Sequence, residues 1–276
     1  MVHFESDAPL PREKRQIVGT CALCRDNAVE LRRSHLMPAA ITRWFRMRAA
    51  SNPNPVWVTP DVTIQMSYEV ADHLLCQMCE QRFHQRGEDW VLKNAFRGGT
   101  AFPIRERLLR ASPVASLPLF DLFEASSIPE IDIDKVCYFA VSVFWRAGAH
   151  SWHMVNRRVR IDFGRYEEQL RRYLLDEQPF PEDAALWISV SKTASPFMSA
   201  SFPKRHRIQN YFQHRFSIPG LAFWLHIGKT LPQAARFLCA VTSPARPICF
   251  SDLVEQSAYH DMARLASKTR AVGGLG

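Results

Sequence analysis

An α+β fold is expected from this sequence: a small cysteine-bearing segment, then a larger domain built on an antiparallel sheet. Three observations predict it. Cys21-Ala-Leu-Cys24 and Cys76-Gln-Met-Cys79 are matched Cys-x-x-Cys pairs that bracket Ser34-His35-Leu36-Met37-Pro38. Residues 134–150 are apolar on nearly all sides over a helical length. From Ala185 onward the hydrophobic period changes from that of a helix to the alternation of strands.

In chain order, residues 1–16 bury little and read as a solvated lead-in. Ile17 to Leu31 is short and turn-like, a hairpin carrying the first cysteine knuckle, with Asp26-Asn27 as its turn. Pro38 opens a helix whose apolar stripe is Ile41, Trp44 and Phe45. Three prolines make residues 51–60 a loop or edge segment. Cys79 to Phe96 is expected as a helix, with Phe83, Trp90 and Val91 or Leu92 inward, stopped by Gly98-Gly99. The Gly-Gly, prolines and small residues of 97–130 suggest a boundary near residue 100, dividing the chain into 1–100 and 101–276.

Beyond it, 134–150 reads as a buried helix and 164–176 as an amphipathic one, with Tyr166, Leu170, Tyr173 and Leu174 on one side. Ala185 to Ser191 reads as a strand, and Pro219-Gly220 turns a hairpin over 211–228. Phe237 to Val241 and Ile248 to Phe250 are candidate further strands, and Leu253 to Ser267 a closing helix.

At 276 residues with 47% hydrophobic and 22% charged positions, the composition is that of an ordinary globular protein. No apolar run spans a bilayer, because the best candidate, residues 136–149, contains Arg146. The first residues lack the basic-then-apolar order of a secretion signal, so a cytoplasmic location is expected, without a membrane partner. The net charge of +8 divides into +2 over residues 1–100, which hold 13 Lys or Arg against 11 Asp or Glu, and +6 over the rest. That balance favours a nucleic-acid partner over an acidic metabolite.

Zinc takes four tetrahedral ligands, and each Cys-x-x-Cys turns two thiolates toward one ion. Cys21, Cys24, Cys76 and Cys79 therefore supply a complete structural zinc site. The 51 residues between Cys24 and Cys76 exceed what a zinc ribbon needs, so the loop is expected to carry a function. Cys137, Cys239 and Cys249 stand alone in apolar surroundings, and seven cysteines without a secretion signal argue for metal thiolates and free thiols over disulfides.

The order Cys-x-x-Cys, Ser34-His35-x-x-Pro38, Leu75-Cys76-x-x-Cys79-Glu80 resembles the His-Asn-His (HNH) endonuclease family over about the first 95 residues. It is similar to a bacterial subgroup with Ser-His or Ala-His, Cys-Glu after the second knuckle and an appended C-terminal domain. The resemblance implies a zinc-stabilised treble clef (a ββα-metal module) that hydrolyses phosphodiesters, DNA more than RNA, in a bacterial or phage defence setting. His35 matches the general base, whose imidazole titrates near working pH. Ser34 stands where the family has a metal-binding aspartate, and Glu80 where it has the final Asn or His. The middle Asn has no clear counterpart, although Asp72 and His73 lie nearby.

In a regular helix Glu80, His84 and Glu88 share one stripe, either a site for catalytic Mg²⁺ or Mn²⁺ or an exposed polar face. Arg32, Arg33, Arg43, Arg46 and Arg48 surround His35, either as phosphate contacts or as a solvated face. Arg157, Arg158, Arg160 and the run Lys204 to Arg207 suggest a second contact, with nucleic acid or an acidic protein, through the C-terminal domain. Trp145, Trp152, Trp187 and Trp224 read as core. His150 and His153 lack a third ligand for a metal. The alternative to a nuclease is a non-catalytic zinc-stabilised binding protein on the same scaffold.

Overall fold

The structure is a computed structural model that describes residues 16–48, 56–58, 62–65, 69–95, 102–154, 157–193, 200–252 and 270–271. It is an α+β fold with antiparallel and mixed sheets. Strands β1 (Val18–Gly19) and β2 (Val29–His35) flank the first cysteine pair, and α1 (Ala39–Arg48) follows. β3 (Val56–Val58) and β4 (Val62–Gln65) form a separate hairpin, after which β5 (Ala71–Cys76) returns antiparallel to β2. The Pro-rich stretch thus supplies β3, an edge strand of its small sheet.

Helix α2 (Gln77–Phe83) runs through a π-helical turn, His84–Glu88, into α3 (Asp89–Ala95). Gly87 explains the turn's position. A Cβ there would lie 2.8 Å from the Phe139 backbone nitrogen, so only glycine lets the turn press against the helix behind it.

That helix belongs to the second half, whose elements are α4 (Pro103–Arg110), β6 (Ala115–Ser116), β7 (Asp121–Glu124), α5 (Ile133–Ala149), β8 (Trp152–Met154), β9 (Arg157–Val159) and α6 (Tyr166–Leu174). After them come β10 (Ala184–Val190), β11 (Ser201–Ile208), β12 (Tyr211–Ile218), β13 (Leu221–Ile227), α7 (Gln233–Phe237), β14 (Pro247–Phe250) and β15 (Arg270–Ala271). α5 is the buried helix read from residues 134–150; the Asp132 carboxylate caps it by accepting from the Lys135 amide at 3.1 Å. It packs on a seven-stranded sheet ordered β11-β12-β13-β10-β14-β7-β6, in which only β10 and β14 run parallel. Phe139 meets Phe216 and Phe223 edge-on, and Phe144 meets Phe216, so one face of the sheet is core. The hairpin read over 211–228 is β12 and β13, with Pro219 followed by left-handed Gly220 (φ 77°), the order of a type II turn.

Three expectations change. The first reversal is made by the knuckle itself, residues 22–24, with Arg25 (φ 67°) and Ala28 (φ 55°) left-handed on either side of Asp26-Asn27. Phe237 to Val241 is not a strand: Pro232 starts α7, two alanines favour the helix, and Phe237 is exposed at its end. Residues 102–130 are built into the fold, since Ile104 and Leu108 of α4 are buried and β6 and β7 join the large sheet. Residues 96–101, at the expected boundary, and the expected closing helix lie outside the described residues.

Elements from either side of residue 100 share one hydrophobic core. Polar contacts join them as well: Arg171 donates to the Leu23 carbonyl, Arg82 to the Leu174 carbonyl at 2.8 Å, and His150 Nε2 lies 2.8 Å from Asp72. Among the described residues, no helix is long and apolar enough to cross a membrane.

Candidate metal centre and the polar cluster beside it

The first cysteine pair sits on the β1–β2 knuckle, whose Ala22 amide donates to the Leu74 carbonyl of β5. The second pair straddles a strand-to-helix junction: Cys76 ends β5 at the N-cap position of α2, and Cys79 lies in the first turn of α2. The positive end of the helix macrodipole favours thiolates there. All four sulfurs fall within 4.8 Å of one another, with Cys24 and Cys76 3.9 Å apart, and the Cys76 amide donates to the Cys21 sulfur.

A tetrahedral ion with metal–sulfur bonds of ~2.3 Å needs sulfurs roughly 3.8 Å apart, so the set closes on an ion with little movement. Thiols held this close share protons unequally. The hydrogen bond from Cys79 pulls Cys21 down to about 4, burial pushes Cys24 up to about 12, and Cys79, as donor to Cys21, is pushed up strongly. A soft divalent cation replaces those protons, and the four cysteines can hold a metal ion such as zinc. Among the described residues they form the one group of three or more metal-ligating side chains close enough for an ion. The other three cysteines are free, with Cys137 and Cys239 buried.

Ser34 and His35 are consecutive on β2, and their partners differ. Ser34 is 0% exposed; its hydroxyl donates to the Glu80 carboxylate of α2 and accepts from the Leu75 amide at 3.2 Å. His35 Nε2 lies 2.8 Å from Glu69 Oε2, and these side chains are 23% and 18% exposed. Arg33 stands 3.9 Å from the same carboxylate.

The stripe of Glu80, His84 and Glu88 does not converge. The π turn inserts an extra residue and rotates the positions after it about the helix axis. His84 is exposed, whereas Glu88 is taken by Arg146, a 2% exposed guanidinium of α5 that also donates to the His35 carbonyl at 2.6 Å. Of the arginines, Arg32 pairs with Glu30, Arg43 is exposed on α1 and Arg46 is half-buried; the Arg48 side chain lies outside the described residues. Hydrogen bonds from the His73 amide and His150 hold Asp72 below the usual carboxylate range, against the opposing effect of burial.

No sequence motif marks Glu69 or Arg146 as a site residue. Glu69 carries no motif, and its place at His35 depends on how the long loop returns. Arg146 did carry a signal: an arginine alone in an apolar helix must find a carboxylate or carbonyl inside the fold. No family model, curated protein or solved structure matches this chain.

Proposed function

We propose that this chain is an HNH-like endonuclease: a zinc-stabilised treble clef in which His35 is the general base for phosphodiester hydrolysis, with DNA preferred over RNA. The observation that carries this reading is the His35–Glu69 pair, a partly open imidazole oriented by a carboxylate. Glu69 holds one ring nitrogen and leaves the other to take a proton from water. The hydroxide oxygen then attacks phosphorus, one P–O ester bond breaks, and the departing alkoxide takes a proton from solvent. Arg33, beside Glu69, opposes the charge that builds on the phosphoryl oxygens.

Zinc on Cys21, Cys24, Cys76 and Cys79 is structural in this reading, because four protein ligands leave no position for water. The resemblance also implies a catalytic Mg²⁺ or Mn²⁺. Glu80, His84 and Glu88 do not fit a single such ion, since Glu80 is held by Ser34 and Glu88 by Arg146.

Those same bonds favour the second reading, a non-catalytic zinc-stabilised binding protein, because they satisfy inside the fold the carboxylates that an ion would need. Nicking of supercoiled plasmid separates the two. The zinc-loaded chain, supplied with Mg²⁺ or Mn²⁺, should nick DNA, and His35→Ala should lose about 100-fold or more of that rate. Equal nicking by the variant, or none by the parent, removes the enzyme reading.

A further inference from the structure

The chain's excess positive charge is confined to one stretch. Between Ala184 and Ser251 there are eight Lys or Arg residues and no Asp or Glu, which leaves 27 of each sign elsewhere. This stretch therefore holds the whole net charge of +8. It also supplies β10 to β14, five of the seven strands of the large sheet.

Strand register sorts its side chains onto two faces. The face bearing Phe216 and Phe223 packs on α5. On the opposite face, Lys204, Arg215, Trp224 and Trp187 are successive cross-strand neighbours over β11, β12, β13 and β10. The next row is His206, Gln213, His226 and Ala185, with Tyr211 beyond it on β12. Lys204 and His206 are exposed, and Tyr211, Gln213, Arg215, Trp224 and Trp187 are half-buried.

The rings and cations interleave. The Arg215 guanidinium lies 5.4 Å from the Trp224 ring centre, and His226 sits 4.4 Å from Trp187 and 5.7 Å from Tyr211. His226 is 2% exposed, and neither ring nitrogen has a hydrogen-bond partner. Arg205 and Arg207 leave β11 on its other side, so this edge strand is cationic on both sides.

Cations alone suit any polyanion. Partly open aromatic rings among them suit one that offers flat base faces, and a duplex keeps those faces stacked away while a single strand presents them. We propose that this face of the sheet binds single-stranded nucleic acid, with phosphates on Lys204, His206 and Arg215 and unpaired bases against Tyr211 and the Arg215–Trp224 pair. The site stands apart from His35, because binding here requires no cleavage. A charged edge strand can also deter association between sheets, but that role needs no rings and gives no preference for single strands.

The test is fluorescence anisotropy with full-length His35→Ala protein, so that loss of cleavage has no bearing on it. The probes are labelled oligothymidylate, oligouridylate and a duplex, each of about 20 nucleotides, at ~50 to ~200 mM salt. At least one single strand should bind about tenfold tighter than the duplex, and the two single-strand arms show whether DNA or RNA is preferred. Trp224→Leu should weaken binding about tenfold. Because Trp224 packs partly into the sheet, exposed Lys204→Gln with His206→Gln serves as a second variant, expected to flatten the salt dependence by roughly 0.7 for the lost lysine–phosphate contact. Equal binding of duplex and single strands overturns the proposal, as does polyglutamate competing as well as oligothymidylate. So does an absence of single-strand binding at ~50 mM salt, or unchanged affinity and salt slope in a double variant that keeps its thermal transition.

Discussion

Arg146 shows at the scale of one residue how the site is held from behind. Its guanidinium donates to Glu88, to the His35 carbonyl and to Ser142, and lies 5.1 Å from the Phe83 ring centre. A buried charge is tolerable only while its partners remain, so removing one side of such a pair costs more than replacing both. Arg146→Ala should therefore lower stability by about 3 kcal/mol in urea unfolding, and Arg146→Met combined with Glu88→Gln should recover a large part of it. A cost below about 1 kcal/mol for the single variant would show that the network carries little. The four cysteines that cluster in the fold were legible in the sequence, because a metal imposes a local Cys-x-x-Cys spacing that can be read without tertiary knowledge. Glu69 was not legible, because nothing near it in sequence requires a carboxylate at His35.

Elements with strong periodicity were legible as elements: α5 from its apolar length, β12 and β13 from alternation about Pro219-Gly220. The π turn was not, because Gly87 acts through its contact with Phe139, a partner distant in sequence. Nor was the half-burial of Trp224, which differs from buried Trp145 and Trp152 only in the place it occupies in the fold, on the outer face of the large sheet. The paired strands β12 and β13 also carry a pH dependence. Burial holds His214 and His226 down at about 4, from an ordinary value of 6.5. A histidine whose folded pKa lies below its unfolded one gains a proton on unfolding, so stability is retained above 6.5 and falls as pH drops toward 4. Each should cost on the order of 3 kcal/mol across that window. Urea midpoints measured across it should drop less steeply for His226→Phe than for the parent; identical pH profiles would show that His226 does not contribute.

For the whole molecule, elements on either side of residue 100 share one core: α5 backs α2, the π turn and α3, and Arg171 of α6 reaches the Leu23 carbonyl of the first knuckle. Interlocking of this kind is invisible to composition and local period. The concentration of charge in residues 184–251 was, by contrast, readable from the sequence once acidic residues were counted over the right window. Both the site around His35 and the shared core depend on the knuckle that the four cysteines close, so metal bound there should be bound as part of folding. Elemental analysis of gently purified protein tests this most directly. One zinc per chain is expected, lost in Cys76→Ser together with a single cooperative unfolding transition; a well-folded parent chain carrying no metal would contradict it.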